Sequence, residues 1–443
     1  MKRFANTALR LIKLAGPLAA GMLFQVAFNL VDAYFIGKLG TDAFAAVNLA
    51  SFSVWLLSAI VGIVGIGANA LSAQIMGSRE THRLERIVDQ ALCYSALLGL
   101  LTTITGLTFC QELTAFLTGR EEQSQLAATL AAQYLATIFM VAPILCLNET
   151  IAALYRGQGD TKTPTLVLSI GFIINAALDP VLIFGWGPFP ALGVIGAGLA
   201  SAFSFFCSLV IFVCIKGEWF QRISQSTSRF AFGELKKILY VGLPPSITNI
   251  VFCVVYMLIT PYIASLGTHA LAALGLGHKV ISLSYFLCLS FSLAAITMTG
   301  EATGAEDEEE ATYRSWVVLT VASATNALVG LCLVWNASDI CQIFSHDQRV
   351  VQLAVTYLSI VVPSQVLLGA GMSVEGAFAG FGHTARPMTI SVLTSLLRWP
   401  LVAWVVTKSK LGAWGVWWVF AISTYLRGIG LLTLLVTQRK MNK

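Results

Sequence analysis

Asp32, Glu149, Asp179 and Glu375 are carboxylates set inside segments that are otherwise almost continuously apolar, and Lys279 and Arg398 are cations in the same situation. A formal charge near the centre of a bilayer costs about 2.5–3.5 kcal/mol on insertion scales, so each of these residues needs a partner or a task. Gln25, Asn29 and Asp32 stand at i, i+4 and i+7, which places all three on one helical face expected to look into a bundle interior. Asn175 and Asp179 are four apart and share a face too, and Pro180 follows directly to loosen the backbone there. Two carboxyls in a common dry cavity cannot both be ionised cheaply, which suits proton exchange. Carboxylate and amide oxygens together equally suit Na⁺, and no other metal is suggested. The structural alternative is that Asp32 and Asp179 only hydrogen-bond neighbouring helices.

The elements that must hold these groups follow from composition. With 57% apolar and 11% charged residues in a chain of 443, and a mean hydropathy of +0.79, there is too little polar surface to cover a soluble globule. Apolar runs predict twelve helices, near 11–36, 43–76, 87–110, 125–155, 163–185, 191–215, 236–265, 270–300, 313–337, 350–380, 386–407 and 411–437. The first is a retained helix, because its long apolar stretch has no small-residue cleavage site. Placing the amino terminus in the cytosol puts 19 Lys and Arg in inner loops and five in outer ones, so both ends are expected to be cytosolic. Nine single cysteines have no metal-ligand spacing and read as packing residues. The net charge of +5 reflects loops beside anionic lipid and calls for no nucleic-acid partner. The acidic run 306–310 reads as a solvated turn.

The chain is written twice. Leu39-Gly40-Thr41 returns as Leu266-Gly267-Thr268, and Pro17, Gln74 and Gly77 return as Pro244, Glu301 and Gly304, all at an offset of 227. Gly157-x-Gly159-x-Thr161-x-x-Pro164 returns at 223 as Gly380-x-Gly382-x-Thr384-x-x-Pro387, and Gly193-x-x-Gly196 at 219 as Gly412-x-x-Gly415. The expected architecture is therefore an all-α membrane protein, with twelve transmembrane helices in two pseudo-symmetric six-helix bundles around a central cleft. The bundles span 1–215 and 236–443, joined by a cytosolic linker at 216–235, and an even number of spans gives both the same orientation.

This pattern resembles the multidrug and toxic compound extrusion family. The resemblance rests on Pro17 with Asp32 fifteen positions on, Phe35-Ile36-Gly37-Lys38-Leu39-Gly40, Gln74-x-x-Gly77, Tyr155-Arg156-Gly157-Gln158-Gly159-Asp160-Thr161, Asn175-x-x-Leu178-Asp179 and Arg398-Trp399-Pro400-Leu401. It implies a monomer in the bacterial inner membrane that exports amphiphilic, often cationic organic compounds in exchange for H⁺ or Na⁺, with no cofactor. It also implies that Asp32, Asn175 and Asp179 form the coupling-ion site, with Tyr134 and Ser201 as further polar members. Gln25 and Asn29 extend the same stripe, and Pro17 is the candidate hinge.

The repeat shows that the carboxyl half lacks this acidic site. At 227 the stripe maps to Phe252, Tyr256 and Ile259, and at 223 Asn175 and Asp179 map to Arg398 and Val402. One branch of the family carries an acid where Phe252 stands, which argues for coupling through the amino half. Lys279, Glu375 and Arg398 are expected to form a salt-linked cluster, the cheapest arrangement for charges in a dry bundle, the alternative being a role in substrate or proton relay. Arg427 is expected to snorkel toward the cytosol. The rival transporter reading is a flippase for a lipid-linked precursor, which calls for several basic residues in the cleft. An intramembrane enzyme would need a nucleophile with its base or ligands at metal spacing, and the sequence offers neither.

Overall fold

The computed structural model describes residues 1–118, 125–219, 232–345, 347–409 and 411–441. Most of the expected linker, 220–231, lies outside them, as do Arg120, Lys410 and Lys443 from the charge tally. The described residues are helical: α1 (Lys2–Gly37), α2 (Thr41–Ser78), α3 (Thr81–Thr118), α4 (Gln125–Met140), α5 (Ala142–Gly157), α6 (Lys162–Phe184), α7 (Val194–Ile215), α8 (Phe232–Ala264), α9 (Thr268–Gly304), α10 (Glu308–Trp335), α11 (Ala337–Phe344), α12 (Gln348–Val361), α13 (Gln365–Gly380), α14 (Ala385–Lys408) and α15 (Gly412–Met441). Among them, eleven runs are long and apolar enough to cross a membrane, counting Gln348–Gly380 as one, and α4 with α5 makes the twelfth, bent by 53°.

Two breaks were not foreseen from hydropathy. The fourth span turns at Val141, with Pro143 in the first turn of α5, and the tenth is interrupted by a 3₁₀ turn, Val362–Ser364, that contains Pro363. Proline has no amide to donate and its ring opposes the carbonyl four residues back, so each half interrupts the α-helix of its fourth span beside a proline. The duplication also persists in backbone conformation. Gly40 and Gly267 take φ of 118° and 110°, Gly159 and Gly382 take 85° and 81°, and the non-glycine pair Arg79 and Glu306 both take 59°.

Contacts divide the chain into two compact units that interleave instead of parting at the linker. One comprises Met1–Ala19, Ala73–Arg79 and Pro244–Lys443, the other Ala20–Ser72 and Glu80–Leu243. The cause lies in the opening turns of α1 and α8. In the first unit, Leu11, Leu14 and Ala15 pack against Phe291, Ala294, Ala295 and Met298. In the second, the positions 227 residues away do the same: a Cβ on Gly67 would overlap the Ile238 carbonyl, and one on Gly242 the Ile63 carbonyl. The divisions fall two residues after Pro17 and immediately before Pro244, its repeat partner.

Within the first unit, α2 and α9 touch backbone to backbone. A Cβ on Gly77 would overlap the Glu301 carbonyl and one on Gly304 the Gln74 carbonyl, so the repeated glycines build a pseudo-symmetric crossing. Beside it, Gln74 donates to the Gly380 carbonyl at 2.8 Å. Glu301, its repeat counterpart, is instead paired with Arg10 and with Arg314, the latter at 3.4 Å.

Candidate functional site

In the unit containing Ala20–Ser72 and Glu80–Leu243, three aromatic contacts fasten α1 to α6, the widest between Phe24 and Phe172 at 6.5 Å. Phe28 stacks on Phe172 with centroids 5.2 Å apart, and Phe35 meets Phe184 edge-on at 6.2 Å. Asp32 lies between Phe28 and Phe35, and Asp179 between Phe172 and Phe184, so the same seam carries both acids. Helix α7 closes on this seam at two glycines: a Cβ on Gly196 would overlap the Leu182 carbonyl of α6, and one on Gly198 the Thr137 hydroxyl of α4. One turn beyond Gly198 is Ser201, and one turn before Thr137 is Tyr134, both buried.

Asn175 and Asp179 are fully buried. Asn175 Nδ2 donates to Ser201 Oγ at 3.3 Å, which leaves its Oδ1 turned inward. That oxygen, both carboxylate oxygens of Asp179 and Oδ1 of Asp32 are buried with no hydrogen-bond partner among the described residues. The two carboxyls lie within electrostatic reach of each other and of Tyr134. Pro180 withholds the amide that would otherwise serve the carbonyl of Ala176, which adds an acceptor beside them. Four buried acceptor atoms without donors are costly as an apolar core and sensible as the wall of a site for a proton or a small cation.

Five of the residues singled out from sequence therefore come together: Asp32, Tyr134, Asn175, Asp179 and Ser201. Gln25 and Asn29 do not join them. Both are exposed, because α1 meets α6 along Phe28, Asp32 and Phe35, and the other two side chains fall on the flank of that line. Glu149 pairs with Arg156, and its neighbour Asn148 donates to the Phe205 carbonyl at 2.9 Å.

In the unit containing Pro244–Lys443, the expected cluster of Lys279, Glu375 and Arg398 is not formed. Glu375 is bound by Arg427, whose Nη2 donates to both carboxylate oxygens at 2.8 Å. Ser391 completes the arrangement, donating to Glu375 and accepting from Arg427 Nε at 3.0 Å. Arg427 is thus no snorkelling side chain. It sits on the face of α15 that packs against α13 through Leu431, Leu435, Val374 and Phe378, so its guanidinium is drawn inward, where a bidentate carboxylate meets it. Lys279 is exposed because α9 turns Leu276, Gly277, Val280 and Ile281 to the core, leaving 271, 272, 275 and 279 on the opposite stripe. Arg398 is buried, donating from Nε to Ser423 Oγ at 2.7 Å and from Nη2 to Thr424 Oγ1 at 3.0 Å. What the sequence does not reveal is the pairing of Arg427 with Glu375. Their separation of 52 residues carries no local signal.

These features define a duplicated polytopic membrane protein that holds charged groups inside its bundles. The MatE profile matches residues 17–181 and 244–404, one match in each half, and the chain belongs to that family, the multidrug and toxic compound extrusion transporters. It is 27% identical over 415 residues to the probable multidrug resistance protein NorM of Thermotoga maritima, covering 92% of this chain and 87% of that one. It is 26% identical over 408 residues to the FAD transporter of Shewanella oneidensis, covering 91% and 88%. An outward-facing multidrug resistance MATE family transporter of the MOP superfamily has the same fold, with a TM-score of 0.90 at 22% identity over 99% of this chain and 97% of that one.

Proposed function

We propose that the protein is a secondary active antiporter of the bacterial inner membrane, working as a monomer with both termini cytosolic. It exports amphiphilic organic compounds, cationic ones among them, by alternating access, and needs no cofactor beyond the coupling ion, H⁺ or Na⁺. Its relatives' names support export of organic solutes. The observation that carries the coupling step is the set of four buried oxygens on Asp32, Asn175 and Asp179 that have no donor among the described residues. An ion entering there cancels the cost of those unpaired acceptors, so occupancy stabilises whichever arrangement of α1, α6 and α7 encloses it.

Pro17 is the hinge in this scheme. It lies where the opening turns of α1 belong to one unit and the Asp32 stretch to the other, so a change at Asp32 is relayed along the helix to the proline. The repeats 1–215 and 236–443 are the parts whose rearrangement exposes the substrate alternately. One elementary charge crossing 100 mV releases about 2.3 kcal/mol, enough for a concentration ratio of roughly fifty when one coupling ion enters for each neutral solute that leaves. Exchange for a monovalent organic cation is instead electroneutral and is driven by the ion's own concentration gradient. The deciding experiment reconstitutes the protein in liposomes, loads a fluorescent organic cation and imposes a pH step, a Na⁺ step or neither. Flux that follows one ion step and is lost in Asp32→Asn and Asp179→Asn supports the scheme, and equal flux with no step overturns it.

A further inference from the structure

Resting on the transporter reading, we infer that Arg398 is an anion-binding group that receives the phosphate or carboxylate of an aromatic organic substrate. The charges inside the carboxyl-half unit do not balance. Arg314 is paired with Glu301 and Glu310, and Arg427 holds both oxygens of Glu375, which leaves no described carboxylate for the buried Arg398. The charged and titratable groups that reach Arg398 are Tyr256, Tyr357, His278 and Arg427, none of them an acid ionised at neutral pH. A guanidinium 5% exposed is thus left with a charge that nothing among the described residues neutralises.

The polar atoms around it are arranged for a ligand more than for neutralisation. Ser423 and Thr424 both spend their hydroxyl protons on the Phe420 carbonyl, at 3.0 and 2.9 Å, so each turns a lone pair to Arg398. These bonds fix Nε and Nη2, while Nη1 makes no hydrogen bond to any described residue. Neutral hydroxyls satisfy donors but leave the charge, and the ring of Phe252, 5.5 Å from the guanidinium carbon, offsets only part of it. A planar guanidinium held at two nitrogens and open at the third suits a carboxylate or phosphate oxygen.

The surroundings supply the aromatic half of the recognition. Tyr256 lies against Phe252 at 4.7 Å, His278 at 5.1 Å and Phe420 at 5.8 Å, and His278 continues to Tyr357 at 5.9 Å. Phe252, Tyr256 and His278 are each part-exposed beside the charge. An aromatic ring bearing an acidic group matches this pairing of flat apolar walls with one cation.

The test uses the full-length protein in detergent and four probes: flavin mononucleotide, riboflavin, inorganic phosphate and ethidium. Riboflavin shares the ring system of the nucleotide but lacks its phosphate. Wild type is expected to bind the nucleotide at least about ten-fold more tightly than riboflavin, with inorganic phosphate competing only weakly. Arg398→Gln is expected to abolish that preference while leaving riboflavin and ethidium binding unchanged, and Arg398→Lys, which keeps the charge without the fork, to retain part of it. Equal affinity for nucleotide and riboflavin in wild type, a preference that survives in Arg398→Gln, or competition by inorganic phosphate as strong as the nucleotide's would each overturn the inference. A parallel arm measures ion-driven ethidium flux in liposomes. Its persistence alongside absent nucleotide binding refutes the anion site alone, and its absence refutes the antiport reading itself.

Discussion

The two halves of this protein use one backbone plan for opposite electrostatics. In the amino half, Oδ1 of Asp32 and both carboxylate oxygens of Asp179 are buried in one seam with no donor among the described residues. In the carboxyl half the interior acid Glu375 is doubly bound by Arg427, and a second arginine, Arg398, is left among hydroxyls and rings. Backbone features obey the repeat closely: glycine crossings, the positive-φ pairs, and a proline break in the fourth span of each half. Duplication thus preserved what close helix packing demands, because a Cβ or a missing proline at those points would displace whole helices. Interior polar groups are under no such constraint once each is satisfied locally, and they diverged.

The comparison is sharpest where the acids are removed. Asp179→Asn is expected to lower ion-driven export to below about a tenth of the wild-type rate while the protein remains folded, as measured by flux in liposomes and by thermal unfolding. Glu375→Gln is expected to do the reverse, costing about 3–5 kcal/mol of stability because Arg427 loses its carboxylate in a half-buried setting. Pairing Glu375→Met with Arg427→Met should restore much of that loss, and a double variant no more stable than the single one would deny the pair its structural role. Gly77→Ala and Gly304→Ala are expected to destabilise by similar amounts, about 1–3 kcal/mol each, since both place a methyl on a backbone carbonyl. A silent change at one of them would break the symmetry claimed for the crossing.

The smallest effect belongs to the cap of α12. Asp347 accepts from the Arg349 amide at 2.8 Å and from Val350 at 3.5 Å, and His269 lies 3.4 Å away. The Arg349 amide first, and then Val350 and His269, hold its carboxyl below the ordinary 3.8. A depressed carboxylate contributes stability above its unfolded value and loses it as pH falls through the folded one. Asp347→Asn should therefore lower Tm slightly at neutral pH and leave the acid end, where the wild-type carboxyl is already protonated, nearly unchanged, so that the Tm-against-pH curve flattens.

Much of this was legible in the sequence. The twelve spans and the duplication follow from apolar run length and from glycines and prolines at fixed offsets, which are local properties of the chain. The coming together of Asp32, Tyr134, Asn175, Asp179 and Ser201 was expected from family resemblance, and the i, i+4 spacing already placed Asn175 and Asp179 on one face. What sequence could not supply was rotation. Several of these helices are apolar all round, so their pattern does not say which face meets which neighbour. Gln25 and Asn29 fell to the flank for that reason, and Lys279 to the exposed stripe.

Pairing across helices is decided by the same missing rotation. Glu375 lies 23 residues from Arg398 and 52 from Arg427, and nothing in that spacing favours the more distant partner. Only the packing of α13 against α15 brought the Arg427 guanidinium to both carboxylate oxygens. The sequence by itself determined the spans, their count and their repeat, because these depend on transfer of each segment to lipid and on backbone steric limits. The tertiary structure alone decided which charges cancel, because that depends on the relative phase of helices far apart in the chain.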